Sequence, residues 1–202
     1  MRIIGGSLSG RHIEAPVGQS TRPTSDRVRE AIFNRLQHGA FAEHGIEDPF
    51  EGPVLDLYAG AGGLGMEALS RGSTHCDFVD SAASACAVLR KNLAALKLTD
   101  RAQVTQAPVE AFLRRATGTY SLVFADPPYA DAGTPLERAL SRLVAAALLA
   151  PSALLVVEHG DHAAPSTVSG LRMIDQRRYG QTVISFFAPA SAEADRGISE
   201  EA

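Results

Sequence analysis

Val54-Leu55-Asp56-Leu57-Tyr58-Ala59-Gly60-Ala61-Gly62-Gly63-Leu64-Gly65 decides the architecture. An apolar run opens it with one acid inside, three glycines (Gly60, Gly62 and Gly63) follow, and a second apolar stretch begins at Leu64. The run reads as a buried strand and residues 64–70 read as a helix, so the glycines lie in a strand-to-helix turn. Lacking Cβ, glycine lets the chain turn sharply and lets a ligand approach the backbone. Amides at the helix start can then face the polar parts of that ligand. Gly60, Gly62 and Gly65 also spell G-x-G-x-x-G, a pattern of dinucleotide-binding turns that is weak by itself.

Working outward, the alternation continues. Residues 76–79 read as the next strand, ending at Asp80, and 82–96 as a strong helix. A short strand is predicted over 102–106, a helix over 109–115, and a strand over 120–125 ending at Asp126. A helix over 135–149 starts with proline in its first turn. A strand over 153–158 follows, then an antiparallel pair, 171–179 and 182–188, turned at Gly180. Strands alternating with helices predict an α/β, Rossmann-like fold with a mostly parallel sheet covered on both faces.

Upstream, residues 1–24 are rich in Gly, Pro, Ser and Arg and suggest a small basic hairpin or extended arm. Thr24, Ser25 or Asp26 could cap a helix running to about His38, with Val28, Ile32, Phe33 and Leu36 on one face. Residues 25–189 form the main domain, and the acidic, small-residue tail 190–202 is expected to be disordered. From Met1 to Arg35 six arginines face three acids, a net +3 that leaves −7 for the rest of a chain whose total is −4. That asymmetry suggests a basic leader meeting phosphates, or an ordinary solvated surface.

The 202 residues suit one domain, and 45% apolar content can build its core. No apolar run approaches the ~20 residues that span a bilayer, and the N-terminus lacks a signal-peptide stretch. Cys76 and Cys86, the only cysteines, provide neither a disulfide framework nor a zinc site. A cytoplasmic protein with no metal is expected. His159 and His162, around Gly160-Asp161, read as loop residues for want of matching ligands.

In an open parallel sheet, ligands bind beyond the carboxyl ends of the strands, so Asp56, Asp80 and Asp126 should converge on one edge. Asp56, four residues before Gly60, would repel a pyrophosphate but suits the ammonium of a methionine moiety. Asp80 can accept hydrogen bonds from both hydroxyls of a ribose, which NAD and S-adenosylmethionine share. Tyr58, Gly60, Gly62 and Gly65 complete the candidate cofactor turn.

Val123-Phe124-Ala125 leads directly into Asp126-Pro127-Pro128-Tyr129. Two prolines stiffen this loop and remove two donors, leaving carbonyls free to accept. An aromatic amine is a poor nucleophile because its lone pair is delocalised into the ring. The Asp126 carboxylate and the Pro127 carbonyl can hold its two N–H groups and favour a lone pair aimed at an electrophile. Tyr129 can stack on the base.

The glycine turn and Asp126-Pro127-Pro128-Tyr129 together resemble the Rossmann-like class I methyltransferases that modify amino groups of bases. The leader narrows the resemblance. Arg2-Ile3-Ile4-Gly5-Gly6, Gly10-Arg11 and Arg22-Pro23-Thr24-Ser25-Asp26-Arg27-Val28-Arg29-Glu30-Ala31-Ile32-Phe33-Asn34 resemble the bacterial RsmD family. Leu69-Ser70-Arg71-Gly72 and Lys91-Asn92-Leu93 agree. The resemblance implies a seven-stranded sheet, S-adenosylmethionine as cofactor, and methylation of the 2-amino group of one guanine in 16S rRNA of the small ribosomal subunit. It places Thr24 near the cofactor and makes Arg2, Arg11, Arg22 and Arg27 candidate RNA contacts. Where many methyltransferases carry an adenine-side acid or amide after the third strand, Gln106-Ala107-Pro108 stands here. Gln106 or backbone N–H groups would serve instead. A monomer acting on an assembling subunit is expected.

Other readings predict different features. A DNA adenine or cytosine amino-methyltransferase could use the same tetrapeptide, but the chain has no insertion large enough for a DNA-recognition domain. An NAD-dependent oxidoreductase leaves Asp56 and the tetrapeptide unexplained. A non-catalytic RNA-binding or assembly factor would not require the tetrapeptide intact.

Overall fold

A computed structural model describes residues 1–15, 26–128, 134–160 and 168–190. Strands β1 (Val54–Leu57), β2 (Cys76–Asp80), β3 (Ala102–Gln106), β4 (Tyr120–Ala125), β5 (Leu149–Gly160), β6 (Leu171–Tyr179) and β7 (Thr182–Pro189) form one sheet in the order β3-β2-β1-β4-β5-β7-β6. The first five run parallel, while β7 is antiparallel to both β5 and β6. Helices α1 (Asp26–Gln37), α2 (Gly63–Ser70), α3 (Ala83–Leu96), α4 (Val109–Leu113) and α5 (Thr134–Ala145) cover it.

Strand periodicity assigns the two faces. Val54 of β1 and Leu122 and Phe124 of β4 join one apolar cluster with Ile32, Phe33, Met66 and Leu89 of α1, α2 and α3. Leu55, Leu57, Val123 and Ala125 point the other way, into a cluster with Leu113 of α4 and Leu136, Leu140 and Leu143 of α5. All four residues of β1 are buried, as expected of a parallel strand covered on both faces.

The expected helix over 135–149 is too long. It stops at Ala145, and β5 already begins at Leu149, earlier than the expected strand start at 153. The stop is a left-handed Ala147 (φ 52°), with the Leu148 amide donating back to the Leu143 carbonyl at 3.0 Å. That is the hydrogen-bond pattern glycine usually completes, and alanine gives no sequence warning of it. Leu148 is buried and Leu149 is half-buried.

Residues 1–13 of the leader fold back on themselves as a small hairpin. Arg2 and His12 make an antiparallel bridge, and the Ile3 amide donates to the Arg11 carbonyl at 2.9 Å. Ile3 and Ile13 are buried in the same cluster as α1, α2 and α3, so the hairpin is docked on the domain. Of the three candidate caps, Asp26 is the first residue of α1, while Thr24 and Ser25 lie outside the described residues, as do the tail residues 191–202.

Candidate active site

The sheet order sets β2, β1 and β4 side by side and parallel, so their carboxyl ends open on one edge. Leu57 lies opposite both Val79 and Ala125. Tyr58, Asp80 and Asp126 therefore leave the three strands at one level. Asp56 lies two residues deeper, opposite Phe78 and Phe124, and the charges of Asp126 and Asp80 both bear on it. The three acids read from the sequence share one edge.

Asp80 is already engaged. Its Oδ2 accepts the Gly60 amide at 2.8 Å, and its Oδ1 accepts the Ala82 amide at 2.8 Å. A carboxylate has about four acceptor sites, two per oxygen. Two amides therefore use one acceptor site on each oxygen and hold the group in a single orientation.

The three glycines of the fingerprint do different work. Gly60 adopts φ 55°, and a Cβ built there would meet nothing nearer than the Tyr58 carbonyl at 4.0 Å, so the backbone is open to approach. Gly62 also has positive φ (83°), and a Cβ there would strike Leu89 at 2.6 Å. Gly65 sits against β2, where a Cβ would fall 2.4 Å from the Phe78 ring and 2.6 Å from the Cys76 sulfur. Its geometry supports helix–sheet packing, and its amide is committed to the Asp56 Oδ2 at 2.9 Å.

Asp56 is fully buried. Burial pushes its carboxyl well above the usual carboxylate range, and the nearby Asp126 and Asp80 charges push the same way, against the Gly65 hydrogen bond. Its visible task is to pin the first turn of α2 to β1. The ammonium contact expected from the sequence would have to be made by the remaining acceptor capacity of this group.

Tyr58 carries a signal that no composition rule shows. It holds φ 59°, a left-handed conformation that bulky side chains rarely adopt. Such backbone settings cluster at ligand sites. Here the setting turns the chain out of β1 into the glycines.

Gln106 is exposed at the end of β3, opposite Asp80 in register. The amide of Ala107 is spent on the Asp80 carbonyl at 3.0 Å, so this one backbone N–H at the strand end is already engaged. Asp126 is half-buried and Pro127 buried. Tyr129, Thr24 and Arg22 lie outside the described residues.

The basic leader divides. Arg2, Arg11 and Arg27 are exposed. Arg29 and Arg35, which are not among the candidate RNA contacts, are buried and half-buried respectively. Arg29 is 1% exposed, with its guanidinium donating to the Arg2 carbonyl, to Asp26 at 3.0 Å and to the Met1 sulfur at 3.0 Å. Arg35 pairs with Asp175 and lies 5.6 Å from the centre of the Phe41 ring.

His159 also departs from expectation. It is a buried residue of β5, with Nε2 2.8 Å from the Ser185 hydroxyl and Nδ1 2.9 Å from the Gly160 carbonyl. His162 lies outside the described residues. Among the described residues no cluster of three or more His, Cys, Asp or Glu could hold a metal.

Glu67 escaped the sequence reading and Asn92 entered it only within the family resemblance, because each looks like an ordinary polar helix residue. Both are buried. Glu67 accepts the amides of Ile4 and Gly5, each at 2.7 Å, and pairs with Arg71 at 2.9 Å. Asn92 binds the backbone of Glu14 and the carbonyl of Ala61.

Comparison with known proteins agrees with this geometry. A Bacillus subtilis (strain 168) protein, YlbH, named as a candidate rRNA methyltransferase, is 40% identical over 192 residues, covering 93% of this chain and 98% of its own. The Ribosomal RNA small subunit methyltransferase D of Escherichia coli (strain K12) is 35% identical over 158 residues, covering 78% of this chain and 74% of its own. A solved Escherichia coli structure, a methyltransferase candidate called yhhF, superposes with a TM-score of 0.79 at 29% identity, over 95% of this chain and 98% of that one. The model of the family described as Conserved hypothetical protein 95 matches residues 1–188, and the chain belongs to that family, the RsmD family of rRNA methyltransferases.

Proposed function

We propose that this protein transfers the methyl group of S-adenosylmethionine to the 2-amino group of a guanine in bacterial 16S rRNA. The observation that carries the reading is the placement of Asp126-Pro127 at the end of β4, directly beside the β1 turn whose Gly60 amide is fastened to Asp80. A base-amine acceptor and a ribose acceptor then stand on the two strands that flank β1.

The residues fit such a cofactor. Asp80 has acceptor capacity left for two hydroxyls, Gly60 leaves the backbone open, and Gln106 stands at the neighbouring strand end. When bound, S-adenosylmethionine supplies a methyl group made electrophilic by its sulfonium. Asp126 and the Pro127 carbonyl accept the two N–H groups of the guanine amine and orient its lone pair. Asp126 is the nearest group to take or relay the proton that the amine must lose. Tyr129, the next residue but one after Pro127, is assigned the stacking of the flipped base.

Arg2, Arg11, Arg22 and Arg27 are assigned to the RNA backbone. The net charge of −4 and so short a basic leader favour an assembling small subunit over naked rRNA, with ribosomal proteins helping to present the base. The protein is assigned as a cytoplasmic monomer.

The test is labelled-methyl transfer to naked 16S rRNA, to assembled small subunits and to duplex DNA, with the products digested and identified by mass spectrometry. N2-methylguanosine in an RNA arm is expected, more from subunits than from naked rRNA. Methylated adenine or cytosine in the DNA arm, with no modified guanosine, would overturn the reading.

A further inference from the structure

The Lys91-Asn92-Leu93 segment has no part in the chemistry above, yet Asn92 touches both the N-terminal hairpin and the candidate cofactor turn. It lies on α3 and is 3% exposed. Its Oδ1 accepts the Glu14 amide at 2.8 Å. Its Nδ2 donates to the Glu14 carbonyl at 2.9 Å and to the Ala61 carbonyl at 3.1 Å. One amide side chain thus reads both backbone groups of Glu14, as a neighbouring strand would, and spends its second N–H on the residue between Gly60 and Gly62.

The surroundings make this choice of residue specific. Two carbonyls and one amide N–H converge, so the site needs two donors and one acceptor on a short side chain, which asparagine supplies. Aspartate would set a carboxylate oxygen against two carbonyls, and leucine would leave three backbone groups unanswered. Glu67 fastens the other end of the hairpin, Ile4 and Gly5, to α2. The hairpin is therefore pinned to both α2 and α3. Glu14 also carries an exposed ion pair to Lys91 at 2.7 Å, which involves its side chain and not its backbone.

We propose that Asn92 is a positioning residue that couples docking of the N-terminal hairpin to the shape of the cofactor turn, because the same side chain holds Glu14 and Ala61. The hairpin is then part of the cofactor site as well as a carrier of the exposed arginines Arg2 and Arg11. Any ligand that secures the hairpin tightens cofactor binding, and bound cofactor reciprocally steadies the hairpin. The proposal rests on the reading of the turn as the S-adenosylmethionine site.

The experiment is calorimetric titration of S-adenosylmethionine into the full chain, its Asn92→Ala, Glu14→Pro and Glu14→Ala variants, and the Asn92→Ala/Glu14→Pro pair, with thermal unfolding of each. Glu14→Pro deletes the amide that Asn92 accepts without touching the turn, and Glu14→Ala deletes only the ion pair. Asn92→Ala and Glu14→Pro should each raise the cofactor Kd by about tenfold, the scale of losing one or two buried hydrogen bonds. The pair should be little worse than either alone, since both break one link, and Glu14→Ala should bind as the parent does.

Parent-like affinity in Glu14→Pro overturns the coupling and leaves Asn92 a stability residue. Should Asn92→Ala fail to fold, Glu14→Pro against Glu14→Ala decides alone. Failure of the parent chain itself to bind S-adenosylmethionine would instead overturn the underlying site reading.

Discussion

Gly60 donates its amide to the Asp80 carboxylate at 2.8 Å, so the glycine turn after β1 and the acidic end of β2 form one unit before any ligand arrives. Ala82 donates to the other oxygen at 2.8 Å. Fixing an acceptor in advance removes part of the ordering cost that binding would otherwise carry.

Asp80→Asn should therefore weaken cofactor binding more than loss of one acceptor alone would. An amide nitrogen placed toward Gly60 or Ala82 opposes a backbone N–H, and the turn must shift. A rise in S-adenosylmethionine Kd of about tenfold or more, on the scale of ~1.4 kcal/mol, is expected by calorimetry. An unchanged Kd would remove Asp80 from the site.

Asp126→Ala should separate chemistry from binding. Turnover should fall by about a hundredfold or more, in line with losing a positioned acceptor of the reacting group, while the cofactor Kd stays near that of the parent. Near-normal turnover in single-turnover methyl transfer would exclude Asp126 from the catalytic role.

Asp56→Asn should change how stability depends on pH. The folded state holds the Asp56 carboxyl well above its ordinary value, chiefly through burial. As pH rises past the unfolded value, the unfolded chain releases this proton while the folded chain keeps it, so the parent loses stability with rising pH. An amide does not titrate and can still accept the Gly65 N–H. Relative to the parent, the variant's Tm should improve as pH moves from about 4 to 7. An offset that is constant with pH would refute the assignment.

Gly65→Ala should destabilise without altering the ligand-facing surface, because the added methyl meets Phe78 and Cys76 inside the sheet interface. A loss of about 1–3 kcal/mol is expected from overpacking, measured by chemical denaturation. Gly60→Ala meets no such obstacle, and its cost comes from the positive φ alone.

Arg2→Ala and Arg11→Ala should lower RNA affinity and flatten its salt dependence by about 0.7–0.9 per lost phosphate contact. Arg29→Ala should instead lower Tm, since it strips partners from the Arg2 carbonyl and Asp26. Equal effects of all three on the salt slope would show that burial does not separate them.

Short-range signals carried most of the fold and the outline of the site. The apolar strand 54–57, the glycines after it and the acids at the ends of β1, β2 and β4 are local patterns, and parallel topology brings strand ends to one edge. The antiparallel pair after β5 was equally legible, from two β-rich runs around Gly180. Local patterns failed where one residue behaved against type. Ala147 ended α5 in a conformation usual for glycine, and Tyr58 took a left-handed turn.

The sequence alone determined the layer order, the turn and the chemistry-bearing acids, because periodicity and glycine placement act within a few residues. Tertiary structure alone decided which arginines face solvent, that Gly65 serves packing, and that Glu67 and Asn92 fasten a hairpin more than 60 residues away in the chain. Those outcomes depend on which buried polar groups meet across the fold. Residue type states what a side chain can donate or accept, and only the folded chain sets which distant partner answers it.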